Sequence, residues 1–285
     1  MNNKKLKIYF TSDTHGYFYP TTYGDLIPKN VGLFSCIPNW EKDENTLVID
    51  GGDVLQGNAF SYFTNHVPKS SKILADIMND CGYDYYTLGN HDFNYGLEYQ
   101  KEYRDNHKGH CVCQNVLDDA GNHLYPYEIK VMPNGLRVGI VGIVTDYVNI
   151  WEKEENLKGI HITDPFEAAK NALAQMKEQT DLTICIYHGG FECDLESGET
   201  LSQTTENVGY RICKELDFDI LLTGHQHMSV PGRDISGTYT VQPCDNAKEY
   251  QYLEVTMTDH EKSIRSELRQ SDAAKGTVLA DKYRS

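Results

Sequence analysis

Five times along the chain, a short run of β-branched and aromatic residues ends in a tight cluster of Gly with Asp, Asn or His. LKIYFT (6–11) runs into SDTHG (12–16), and TLVID (46–50) into DGGD (50–53). DYYTL (84–88) is followed by GNHD (89–92), LTICIY (182–187) by HGG (188–190), and FDILLT (218–223) by GHQH (224–227). Apolar runs of this length, bounded by Gly and polar residues, read as strands. LRVGIVGIV (136–144), TYTVQ (238–242) and YQYLEVTM (250–257) add three more. Helical spacing fills the intervals. The stretch 69–82 closes on Gly82 as a C-cap, and 163–179 opens on Asp164 as N-cap with Pro165 in the first turn. A third helix is expected over 203–216. The pattern predicts a layered α/β domain whose C-terminal part is strands alone.

In open α/β sheets, ligands bind at the C-terminal ends of the strands. The five clusters therefore fall on the functional edge, and Gly such as Gly89 lets the backbone turn there and approach a ligand. A single His or Asp at a strand end is ordinarily a turn or cap residue. Five together are a ligand set: Asp13, Asp53, Asn90, His15, His188, His225 and His227. Nitrogen and oxygen donors without a thiolate suit Mn, Fe, Zn or Co rather than a structural zinc cage. Seven donors exceed one tetrahedral ion and fit two divalent ions sharing a carboxylate. Such a pair clamps the attacking and leaving oxygens of a displacement at phosphorus and makes a bridging hydroxide near neutral pH.

The charge balance is consistent with that chemistry. With 26 basic and 42 acidic residues, net −16, the chain lacks the basic footprint of a protein that grips a nucleic-acid polymer. Two divalent ions on two carboxylates leave about +2 locally, enough to hold a small phosphate ester. No apolar run reaches the ~18–20 residues of a membrane helix, so no membrane partner is expected. The start, MNNKKLKIYFTSDTHG, does not have the form of a signal peptide. The chain as given reads as cytoplasmic, or as extracytoplasmic if it is a mature or truncated domain. The eight Cys form no CxxC pair and read as reduced, mostly buried thiols. HKGHCVC supplies zinc-ligand types in His107, His110, Cys111 and Cys113. It is set aside because Cys111-Val-Cys113 reads as a strand with both thiols on one face.

D-x-H, GD, GNHD, H and GHxH, in this order over about residues 6–257, resemble the calcineurin-like metallophosphoesterase superfamily. GNHDFNYG (89–96) and VCQNV (112–116) are similar to its 5'-nucleotidase branch. GDVLQG (52–57), TEN (205–207) and GHQHMSVPGRD (224–234) resemble most the 2',3'-cyclic-nucleotide 2'-phosphodiesterase/3'-nucleotidases within it. The resemblance implies a four-layer αββα sandwich, with residues 1–260 as the catalytic domain. Residues 261–285 read as a polar helix or frayed extension that starts a linker toward a nucleotide-binding domain. It also implies roles. Asp13, His15 and His227 hold one metal, Asn90, His188 and His225 the other, and Asp53 bridges them. His91, outside the metal shell, faces the phosphate and serves catalysis with Asn90.

Asp92 is expected to cap the following helix. Asn94 stands where 5'-nucleotidases usually carry Asp, so a His–carboxylate dyad is not expected. Tyr17, Phe18 and Tyr19 are candidates to stack on a base. The implied activity is two-metal hydrolysis of nucleotide phosphate esters, of the 2',3'-cyclic phosphodiesterase/3'-nucleotidase type. Hydrolysis of 5'-nucleotides or of sugar phosphates stays open as an alternative, as does a non-catalytic metal-bound scaffold.

Overall fold

The computed structural model describes residues 3–283 apart from 22, 23, 25, 26, 259 and 276, and the side chains of 277 and 278 are also outside the description. Two six-stranded sheets form its centre. The first has the spatial order Lys262–Gln270, Glu249–Met257, Lys4–Thr11, Thr46–Asp50, Tyr85–Tyr86, His110–Cys111. The second runs Val230–Ile235, Thr238–Gln242, Ile220–Thr223, Leu182–His188, Arg137–Val144, Glu128–Val131. Each has a parallel interior and at least one antiparallel edge. A three-stranded sheet of His123–Tyr125, Cys113–Asp118 and Ile160–Ile162 lies beside them.

Side-chain alternation along the strands explains the layering, because successive residues face opposite sides of a sheet. Leu6, Ile8 and Phe10 join Ile184, Ile186, Ile220 and Leu222 in a core between the two sheets. Tyr9 and Val48 point the other way, onto Leu74, Ile77 and Met78 of the helix Lys72–Cys81. Val141, Cys185 and Tyr187 pack outward on Ala169, Ala172 and Leu173 of the helix Pro165–Met176 and on Ile212 of the helix Gly209–Glu215. The result is helix, sheet, sheet, helix. Each fully buried Leu, Ile or Phe contributes about 1.5–3 kcal/mol of transfer free energy to this arrangement.

The expected caps are present. Gly82 ends its helix in the left-handed conformation (φ 73°), and the Asp164 side chain accepts from Glu167 N. The helix expected over 203–216 is confined to Gly209–Glu215. The residues before it are held by other elements: Glu206 O accepts from Thr145 Oγ1 (2.8 Å) and Asn207 Oδ1 from Gly190 N (2.7 Å). Residues beyond 260 depart further from expectation. Lys262–Gln270 is a strand in full register with Glu249–Met257, followed by a short helix, Thr277–Lys282. Its charges sit on an edge, where they discourage further pairing, and they hid the weak alternation of Ile264, Ser266 and Leu268. No helix among the described residues is long and apolar enough to cross a membrane.

Candidate metal centre

The loops that leave Thr11, Asp50, His188 and Thr223 meet on one edge of the two sheets. Backbone bonds tie them together: Asp13 N donates to Gly52 O (3.0 Å) and His15 N to Asp53 O (2.7 Å). Nine non-glycine residues have positive φ among the described residues, and five of them are Asp13, His15, Asp53, His225 and His227. That conformation is uncommon for a residue with a Cβ and persists only where the surroundings enforce it. Its concentration at these positions marks the edge as a functional site. Gly89 is required for space alone, since a Cβ there would lie 2.2 Å from Asp53 Oδ1.

The seven expected ligands converge. Donor atoms of Asp13, His15 and His227 lie within 4.8 Å of one another, and so do those of Asp13, Asp53 and His188. Asn90 Oδ1 adjoins the second group, 3.1 Å from His188 Nε2 and 2.9 Å from His225 Nδ1. Asp53 Oδ2 spans the groups, at 3.9 Å from His15 Nε2 and 3.2 Å from His188 Nε2. Asp13 Oδ1 spans them as well, at 3.3 Å from His227 Nε2 and 3.9 Å from His188 Nε2. Asp13 and Asp53 thus each lie within 4 Å of a histidine from both groups.

The donor chemistry fits cations. His15 and His188 each donate Nδ1–H to a backbone carbonyl, Gln56 O at 2.8 Å and Gly51 O at 2.7 Å. In the neutral ring this leaves each Nε2 with a lone pair, the form in which imidazole binds a metal. Those lone pairs face other electron-rich atoms. His15 Nε2 is 3.1 Å from His227 Nε2, and His188 Nε2 faces Asp53 and Asn90 oxygens. The ion pairs of Asp13 and Asp53 among the described residues are all with histidine. Burial opposes protonation of His188, yet Asp53 and Asp13 outweigh it and hold its pKa well above the usual imidazole value. The cluster thus attracts positive charge into a buried space. His225 is the contrasting case: burial, reinforced by the charge of His188, holds its pKa down. Its Nε2 meets Glu206 Oε1 at 3.0 Å, which turns Nδ1 toward Asn90.

His91 stands beside this cluster, its ring 5.3 Å from that of His15. Its Nδ1 is 2.7 Å from Asn94 Oδ1. Asn94 Nδ2 donates to Glu152 Oε2 (2.7 Å), so the amide oxygen must face His91 and His91 Nδ1 must be the donor. A carboxylate therefore does support this histidine, one amide away. The motif reading stopped at Asn94 because Glu152 is distant in sequence.

Asp92 does not cap the following helix, which begins at Leu97. Its buried carboxylate accepts from the backbone N–H groups of Asp53, Val54, Leu55 and Gly89, at 2.8–2.9 Å, and clamps two site loops together. Of the aromatic trio, Phe18 is fully buried against Phe34 and Phe60 and offers no face to a ligand. Tyr19 packs on the same rings and donates its hydroxyl to Tyr283 O. Tyr17 borders a cavity with Tyr62 and Tyr95. Three further residues at the site are Glu206, within the quoted TEN, and Glu152 and Trp151, which carried no sequence signal.

The family model described as calcineurin-like phosphoesterase matches residues 6–229. The chain is 32% identical over 259 residues to the trifunctional nucleotide phosphoesterase protein YfkN of Bacillus subtilis, covering 81% of this chain and 17% of that protein. It is 26% identical over 251 residues to the 2',3'-cyclic-nucleotide 2'-phosphodiesterase/3'-nucleotidase of Haemophilus influenzae, covering 81% of this chain and 37% of the relative. Among solved structures, a Staphylococcus aureus protein described as a 5'-nucleotidase superposes with a TM-score of 0.88 at 29% identity, over 98% of this chain and 58% of that one. The chain spans well under half the length of both curated relatives.

Proposed function

This chain belongs to the calcineurin-like phosphoesterase family, and on that premise we propose that it hydrolyses nucleotide phosphate esters at a two-metal centre. The observation that carries the proposal is the convergence of imidazole nitrogens on buried carboxylates with no Lys or Arg paired to them among the described residues. Asp13, His15 and His227 would hold one ion and Asn90, His188 and His225 the other, with Asp53 between. Bound there, two divalent ions would supply positive charge to the phosphoryl oxygens and would lower the pKa of an attacking water.

The remaining work falls to the chain. His91 keeps Nδ1–H on Asn94, so Nε2 is the nitrogen that meets the substrate. Protonated at Nε2, His91 donates to the leaving oxygen. Asn94 cannot neutralise the imidazolium, but it orients the ring, and the Glu152 carboxylate behind it offsets the charge. Asp92 holds the Asp53 and Asn90 loops at fixed spacing.

The preferred substrates are 2',3'-cyclic and 3'-nucleotides, supported by Asn94 and the similarity to the Haemophilus influenzae enzyme. Activity on 5'-nucleotides is the second reading, supported by the Staphylococcus aureus structure. The test is a panel of 2',3'-cyclic AMP, 3'-AMP, 5'-AMP and sugar phosphates with Mn²⁺- or Zn²⁺-loaded protein. Turnover of the first two above the rest is expected. Turnover of sugar phosphates only would overturn the nucleotide reading.

A further inference from the structure

Beside the metal cluster lies a cavity of about 510 Å³, bounded by Asn90, His91 and His225 at one end and by Trp151, Glu152 and Glu206 at the other. Trp151 is 48% exposed there. A tryptophan left half in water at a site mouth forgoes much of its burial free energy. Its position is nevertheless fixed. It ends the helical turn Val148–Trp151, which directly follows the strand Arg137–Val144 and is anchored by the fully buried Val148. Trp151 N donates to Tyr147 O (3.0 Å) and Glu152 N to Val148 O (2.9 Å), while Asn149 Nδ2 holds Ile162 O (2.9 Å). The edge of Tyr147 braces the indole at 5.5 Å. His225 stacks near it, with centroids 5.5 Å apart and planes 27° apart, so the ring sits beside a proposed ligand.

We propose that Trp151 is the platform on which the base of a nucleotide substrate stacks while its phosphate lies at the metal cluster. The inference rests on the phosphoesterase reading above and assigns the recognition of the leaving group to this domain's own residues. Purine and pyrimidine rings stack on indole with little regard to sequence or identity, which suits an enzyme acting on nucleotides generally. Glu206 adds polarity of the matching sign. Its Oε1 meets His225, and its carboxylate lines the cavity, where it accepts from a ribose hydroxyl or a base amino group. This places base recognition at Trp151 in place of Phe18, whose ring is buried, and Tyr19, which packs on Phe34 and Phe60.

The chain has two tryptophans, and Trp40 is packed on Tyr9 at 8% exposure, so quenching by a ligand in the cavity reports Trp151. Adenosine, which has no phosphate to hydrolyse, should quench the metal-loaded protein saturably, and Trp151→Phe should abolish the quench. In kinetics, the measured quantity is the ratio of kcat/KM for the AMP isomer turned over to that for the matching ribose phosphate. Trp151→Ala should lower this ratio roughly tenfold or more, the scale of one base–aromatic stack. Trp151→Phe should recover most of it. No saturable quench, or an unchanged ratio in Trp151→Ala because both esters suffer alike, would overturn the proposal. If no ester is hydrolysed with any metal, the function proposed above fails while the adenosine quench still decides on the stacking site.

Discussion

Two histidine-rich regions of this molecule look alike in composition and behave in opposite ways. HKGHCVC gathers His107, His110, Cys111 and Cys113 within seven residues, yet the structure disperses them. The His107 ring packs on Tyr86 and Tyr103, with Nδ1 accepting from Gly109 N, and burial lowers its pKa to about 4. His110 turns to Glu128, and Cys113 lies in the core. The other region draws its histidines from positions up to 212 residues apart, and the structure brings His15 Nε2 to 3.1 Å from His227 Nε2. Proximity in sequence therefore does not bring these side chains to one point. What separates the two is whether the ring nitrogens are left as lone pairs directed at one point, with their other nitrogens held by carbonyls and carboxylates.

That contrast can be broken at either end. The largest effect is expected for Asp53→Asn, which removes the carboxylate between the two groups: hydrolysis should fall to background and metal content should drop with it, read by elemental analysis and assay of one preparation. Retained activity would remove Asp53 from the bridging position. His91→Asn should lower kcat by roughly 10²–10⁴-fold, the range of a general acid, with metal content unchanged. Loss of metal in that variant would place His91 inside the shell.

The next effect belongs to the dispersed region. His107 has a folded pKa of about 4 against 6.5 when exposed, so below pH 6.5 the unfolded chain takes up the proton first. Its contribution is full above pH 6.5 and is lost as pH falls toward 4, by up to about 3 kcal/mol. Urea titrations should show a shallower acid loss in His107→Asn than in the native sequence; identical slopes would contradict the buried neutral ring. Glu206→Gln should weaken metal affinity by about 10–100-fold, as removal of an outer partner of a ligand histidine does. Smallest of all, Cys111→Ser should leave metal content and activity as they were, and a loss of zinc would restore HKGHCVC as a site.

Much of the architecture was legible because period-two alternation and capping chemistry act locally. The strand ends, Gly82, Asp164 and Pro165 carry their signals in a few residues. The candidate cluster was legible for a related reason: each strand delivers its ligand at its own C-terminal end. The rest depends on contacts between distant segments. Glu152 supports His91 only through the orientation of Asn94. Asp92 looked like a cap because Asp commonly is one, and only the folded loops reveal four backbone donors converging on it. Phe18 read as a candidate to stack on a base, but Phe34 and Phe60 close over it. The strand Lys262–Gln270 was hidden by the charges that suit it to an edge.

The central claim is that dispersed histidines, rather than the contiguous ones, hold the metals. Anomalous scattering from crystals grown with Mn²⁺ tests it directly. Two peaks are expected, one bounded by Asp13, His15 and His227 and one by Asn90, His188 and His225. A single peak, or a peak among His107, His110, Cys111 and Cys113, would contradict it.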